Sequence, residues 1–446
     1  MWRRSFTMVA LCLGLIPFGQ EPATPQAGLT LVKAGRVLDV KSGHYLLNQG
    51  IFIADDRIKQ VGAFDAVRAA APKNAKIIDL SNATILPGLI DCHAHLLDAW
   101  DQGSGDNVAL SVMMGPSKRA LLGAANARED LEAGLTTVRN VGHSGIDGDV
   151  ALRDSVENGW VTGPRILASA RKLTPPGGQA ISGWPPLLKP IIDAEFLPVN
   201  GPQEARRAVR ENLAAGADFI KVVVDALPRV LDLDEMKGIV DEAHRSGVKV
   251  AAHATTKLGI EMAIQAGVDS IEHGDEVTDE QFQAMHDKSI FLVPTLWQSE
   301  TFFDIVSKKY VASDSDKADF ERWKKTNDEQ SLRKVAGAKK YGVKLAAGSD
   351  MILSYPGKTR GQATLLMLDA MEHFGVPAQD VLRAATVDAA ELLGWQDRVG
   401  VIEAGKFADL IAVDGDPLKS VTELHKVNFV MKAGAIVRDD SRHNPK

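Results

Sequence analysis

The feature that most constrains this chain is a change of rhythm. From residue 84 to residue 398, short apolar runs alternate with amphipathic helical stretches, the pattern of parallel strands joined by crossover helices. Eight candidate strands stand out: TILPGLIDCHAHL, LTTVRNVG, RILASAR, DFIKVVVD, KVAAHA, DSIEHG, FLVPTL and KLAAGSD. Helical periodicity falls between most of them, over 120–133, 202–215, 234–246 and 260–266, and over 377–393 after the last. Eight such units over about 300 residues predict an α/β fold, a (β/α)8 TIM barrel. Two stretches, 173–198 and 300–329, exceed ordinary connections and are expected to shape a substrate pocket.

The ends of the chain read differently. Residues 29–83 are β-rich segments broken by turn residues, and the same texture returns over 399–440. The two ends are expected to form one small β-sandwich domain interrupted by the barrel at 84–398. Ahead of them, Trp2-Arg3-Arg4 and the apolar run from Phe6 to Phe18 predict a signal peptide with a short linker over 1–28, and hence export to a periplasmic or secreted location. Cys12 would leave with that segment, so Cys92 would have no partner for an internal disulfide.

Composition narrows the function classes. With 446 residues, 45% hydrophobic and 24% charged, the chain can bury a large core and lacks the bias of disordered or fibrous sequences. A formal charge of −7 and the absence of a basic stripe exclude nucleic acid as the expected partner. No membrane association is expected once the signal is removed, and a homo-oligomer is.

In a barrel, reacting groups sit where strands end at their carboxyl side. The polar residues closing the candidate strands are His93 and His95, Lys221, His253, His273 and Asp350. His93 and His95 are two apart, so on a strand both imidazoles share one face, ready for one metal. Taken singly, each position has a plainer reading: a hydrogen-bonded core histidine for His253 or His273, a helix cap for Asp350, an edge amine reaching water for Lys221. Taken together, each plain reading must hold at a strand end of the same barrel. Four imidazoles, a carboxylate and a modifiable lysine suit two divalent ions such as zinc, with manganese, cobalt or nickel as alternatives. The motifs of dinucleotide, phosphate-loop and serine-nucleophile chemistry do not occur.

The segments ILPGLIDCHAH, LTTVRNVG, GADFIKVVVD, VAAHA, AGVDSIEHG and GVIEAGKFADLIAVDGDPL resemble the amidohydrolase superfamily, from Leu29 to Gly434. Within it the chain is most similar to the metallo-dependent prolidase-like branch of Xaa-Pro dipeptidases, basic-residue carboxypeptidases and ochratoxin-degrading amidohydrolases. The resemblance implies that His93, His95 and Asp350 hold the more buried metal and that His253 and His273 hold the second. It also implies that Lys221 becomes a bridging carbamate, that a metal-bridging hydroxide attacks the amide carbonyl, and that Asp350 carries the proton to the leaving nitrogen. The implied substrate is a small-molecule amide or peptide, a dipeptide or N-acyl amino acid. Hydrolysis of a cyclic amide or imidazolone is the alternative within the superfamily, and a metal-free binding protein is a third reading. His143 is a candidate substrate contact or a solvated loop residue. Gln179 stands where relatives carry the histidine of Pro-Thr-Gly-Gly-His, here Thr174-Pro175-Pro176-Gly177-Gly178-Gln179, which puts their substrate choice in question. Arg360 is a candidate for a substrate carboxylate or a surface salt bridge.

Overall fold

The computed structural model describes residues 28–99, 109–179, 185–309 and 314–440; the expected signal peptide lies outside them but for Gly28. Strands β1 (Thr30–Asp39) and β2 (His44–Ala54) form an antiparallel pair. The connection is tight because the Asp39 carboxylate accepts from the Lys41 amide and Gly43 takes the left-handed conformation, φ +70°. Strand β3 (Arg57–Ala63) continues the antiparallel order, and β4 (Lys76–Pro87) returns parallel to β1.

The next strands are parallel, as expected. Strands β5 (Leu89–Ala94), β6 (Leu135–Asn140) and β7 (Arg165–Ala168) form one sheet. A second sheet carries β8 (Lys172–Thr174), β9 (Phe196–Pro198), β10 (Ile220–Val223), β13 (Val250–Ala254), β14 (Ser270–His273) and β15 (Phe291–Val293). A short hairpin, β11 (Asp225–Ala226) with β12 (Arg229–Val230), follows β10. Seven of the eight expected strand segments thus contain ladder strands. β8, β9 and the hairpin are additional, and they come from the long or polar stretches whose pattern did not mark them.

The eighth segment, KLAAGSD, with the Met351 that follows it, makes single bridges rather than a ladder: Leu345 to Leu292 and Met351 to Ala94. It lies between β15 and β5, since Ala346 N donates to Leu292 O at 3.0 Å and Cys92 N to Ala347 O at 2.8 Å. Gly348 permits this approach, because a Cβ there would stand 2.4 Å from Val293 Cγ1 and 2.7 Å from His93 Cβ.

Helices pack outside the parallel strands. The helix Leu233–Arg245 begins with a reciprocal cap between Asp232 and Glu235 and turns Met236, Ile239, Val240 and Ala243 into the core shared with β10 and β13. Truncating Met236 there would cost about 2–5 kcal/mol. The long 300–329 stretch is mostly helical, within Ser299–Lys309 and Asp314–Tyr341, with the Phe302 ring in contact with both Trp297 and Trp323.

At the C-terminal end, β16 (Leu410–Val413), β17 (Val427–Lys432) and β18 (Ala435–Asp439) join the first four strands. The order is β18-β17-β16-β4-β1-β2-β3, one continuous seven-stranded sheet where a two-layer sandwich was expected. The reason is the length of β4. Its twelve residues pair with β1 from Lys76 to Ile85 and with β16 from Thr84 to Pro87, so one strand ties both chain ends together. The sheet then curls: Ile58 N on β3 donates to Lys406 O at 2.9 Å, and Val32, Ile51, Ile85, Leu410, Phe429 and Met431 share one core.

Candidate metal centre

The ligand candidates gather at the carboxyl ends of the parallel strands. His93 lies on β5 with both faces of its strand buried, and its Nδ1 donates to Glu272 Oε2 at 2.6 Å. His95 donates from Nδ1 to the Gly142 carbonyl at 3.0 Å, and His273 Nδ1 shares a hydrogen bond with Thr295 Oγ1 at 2.8 Å. The acceptors at Nδ1 of His93 and His95 place the proton there and leave the Nε2 lone pair for a metal. Asp350 Oδ1 stands 3.2 Å from His95 Nε2 and 3.6 Å from His93 Nε2. Donor atoms of His93, His273 and Asp350 all lie within 4.8 Å of one another. The His253 and His273 rings are 4.5 Å apart by centroid, and His253 Nε2 faces Asp225 at 3.8 Å.

Electrostatics favour ligation. Burial, aided by neighbouring positive groups, holds His93, His253 and His273 well below the usual imidazole range, so they are neutral donors. Burial acts to raise the Asp350 carboxyl, but His93, His95 and Lys221 overcome it and hold it at about 2. The Lys221 amine is pushed down to about 8, by burial and by Arg139 against the pull of Glu272 and Asp350. Among the described residues nothing hydrogen-bonds to Lys221 Nζ, although the side chain is almost wholly buried. An unpartnered buried amine is costly unless something absent from the polypeptide occupies it. The donor set and this orphaned nitrogen fit a pair of divalent ions.

All six candidates line one cavity of about 190 Å³, together with His143, Lys172, Gln179 and Ile352. Three of its residues are held in the left-handed backbone region: His143 at φ +57°, His273 at +70° and Asp350 at +48°. Non-glycine residues reach that region at a cost, and it is a mark of functional sites. His143 and Gln179 are brought to the cavity as expected. Arg360 is not among its lining residues. Its guanidinium is directed to the His95 carbonyl at 3.5 Å and to buried Asp130 at 3.9 Å, so it is neither a cavity residue nor on the surface.

Sequence reasoning missed the layer behind the ligands. Arg139 Nη2 donates to Glu272 Oε1 at 2.7 Å, and Arg139 Nε donates to Cys92 O at 2.6 Å. Asp91 Oδ1 accepts from the amides of His93 and Ser349, which fixes the first ligand strand against the segment bearing Asp350. The available signal was the same as for Lys221: Arg139 and Glu272 are charges inside apolar strand segments.

The profile of the amidohydrolase family matches residues 84–437, and the chain belongs to that family. It is similar to ochratoxinase of Aspergillus niger, at 28% identity over 93% of this chain and 88% of that one. Among solved structures it resembles a Xaa-Pro dipeptidase with methionine bound in its active site, at 28% identity and a TM-score of 0.77, over 92% of this chain and all of the other. An imidazolonepropionase of Fusobacterium nucleatum is 25% identical over 82% of this chain and 85% of its own. The likenesses to the ochratoxinase and the dipeptidase are those of the prolidase-like branch, and they support an α/β fold of the TIM-barrel type and hydrolysis of an amide bond.

Proposed function

We propose that this chain is a two-metal amide hydrolase, using zinc or a similar ion, that cleaves a dipeptide or an N-acyl amino acid. The observation that carries this reading is the convergence of four imidazoles, Asp350 and an unpartnered Lys221 amine on one cavity. His93, His95 and Asp350 would hold one ion, and His253 and His273 the other. Lys221 would serve as a carbamate between them: its neutral amine attacks carbon dioxide, a nitrogen–carbon bond forms, and a proton leaves. That change converts a buried cation into an anion, which relieves the burial cost of an unpartnered ammonium. The ions, when bound, supply Lewis acidity that brings a water toward ionisation at neutral pH and polarises the scissile carbonyl.

Asp350 manages the proton. Its carboxylate would accept from the attacking water and return the proton to the leaving nitrogen. Glu272 and Arg139 hold the His93 ring in the tautomer and orientation this needs.

The test pairs metal content with a substrate panel. Mass spectrometry on protein purified without chelator is expected to find roughly two divalent ions per chain. Fewer than about one would reject the two-metal reading. N-acyl amino acids and dipeptides are expected to be cleaved in preference to hydantoins and imidazolones. The likeness to an imidazolonepropionase supports the second reading, and turnover of the cyclic amides alone would select it.

A further inference from the structure

Lys172, on the short strand β8, is a second buried lysine in the same cavity, and neither the expected ligand set nor the proton path uses it. Its Nζ donates to His143 Nε2 at 2.6 Å and to Gln179 Oε1, both neutral acceptors. An ammonium has three N–H donors. Among the described residues the third has no acceptor, and no carboxylate is hydrogen-bonded to the group. The nitrogen also lies 4.9 Å from the centre of the Phe196 ring, which adds no anion. The placement is built rather than incidental: Gly142 makes room for the lysine stem, since a Cβ there would stand 2.5 Å from Lys172 Cγ.

We infer that Lys172 is the anchor for the carboxylate of the substrate, with His143 and Gln179 holding its ammonium in position. This rests on the amide-hydrolase reading and names the residue that would recognise the carboxylate which a dipeptide or an N-acyl amino acid carries beside the scissile amide. A cation held by neutral partners at the cavity wall gains a charge-assisted hydrogen bond when a carboxylate arrives and gains little from a neutral carboxamide. It also selects against a substrate that places an amine there.

The experiment compares N-benzoylglycine and N-acetyl-L-phenylalanine with their C-terminal carboxamides on the metal-loaded full chain. Turnover and, separately, the Kd by calorimetry on Asp350→Asn are measured. The free acids are expected to win by about tenfold or more, in kcat/KM and in Kd. Lys172→Met is expected to abolish that preference and Lys172→Arg to keep most of it. Equal handling of acids and carboxamides by the unmutated protein, or a preference that survives in Lys172→Met, would overturn the anchor while leaving amide hydrolysis standing. Binding of the acids that depends on Lys172, without turnover, would support the anchor and refute the amide-hydrolase reading. Absence of both binding and turnover overturns the anchor for this class of substrate. The comparison within the unmutated chain does not depend on any variant folding.

Discussion

Two lysines on neighbouring strands of one sheet, Lys221 on β10 and Lys172 on β8, meet the same cavity with different hydrogen bonding. Both are almost wholly buried, and burial first of all lowers both amines, to about 8 and about 7. Lys221 has Glu272 and Asp350 as the charges that raise it and, among the described residues, no hydrogen-bond partner. Lys172 has Glu195, Asp98 and Asp350 as the charges that raise it, and two neutral hydrogen-bond partners, His143 and Gln179. An amine left bare amid metal-ligand candidates is arranged to be modified. An amine steadied by neutral groups is arranged to stay a donor. The same residue type therefore serves the metal at one place and the substrate at the other, and the difference lies in what each strand's neighbours leave unsatisfied.

The largest effect that would break this division is at Asp350. Asp350→Asn keeps an oxygen donor and loses the proton acceptor, so turnover is expected to fall by a factor of about 10³ or more while metal content stays near normal. Steady-state kinetics with metal analysis on the same sample checks it; near-normal turnover rejects the role. Next is Lys221→Ala, which is expected to lose activity and to fall below about one ion per chain. A short carboxylic acid should restore part of the activity by standing where the carbamate would. The corresponding change at Lys172 should leave the ions in place, and a loss of metal there would erase the distinction between the two lysines.

Glu272→Gln comes third. The amide can still accept from His93 but no longer pairs with Arg139 as a charge, so metal affinity is expected to weaken about ten- to hundredfold. Competition with a chelator measures it, and an unchanged affinity would show that the Arg139–Glu272 pair only fills space between the two parallel sheets.

These residues also mark how far the sequence could be read. His93 and His95 were legible because strand periodicity puts them on one face, and Asp350 because it closes an apolar run. Arg139 and Glu272 were not, since 133 positions separate them and only the closing of two sheets on each other brings them together. Lys172 was hidden for a different reason: β8 is three residues long, too short for any periodicity to declare it a strand. The curled terminal sheet was legible as strands but not as a topology, because pairing along β4 depends on its length and register rather than on its composition.

Arg360 should show the smallest effect on catalysis. Its guanidinium stands beside Asp130 rather than in the cavity, so Arg360→Met is expected to change KM by less than about threefold for acid substrates. A larger change would return it to the substrate site. The consequence belongs to stability instead. Burial raises the Asp130 carboxyl, Arg360 pulls it part of the way back, and the balance stands at about 7. A carboxyl raised above its unfolded value of about 3.8 holds its proton in the native state after the unfolded chain has released it, so stability is lost as pH climbs through that interval toward about 7. Removing Arg360 raises the carboxyl further and extends the loss. Denaturant unfolding should therefore show Arg360→Met destabilised by about 1–3 kcal/mol at pH 8 and by less at pH 5, where Asp130 is protonated with or without its neighbour. A penalty independent of pH would mean that the arginine acts through its packing and its contact with the His95 carbonyl alone.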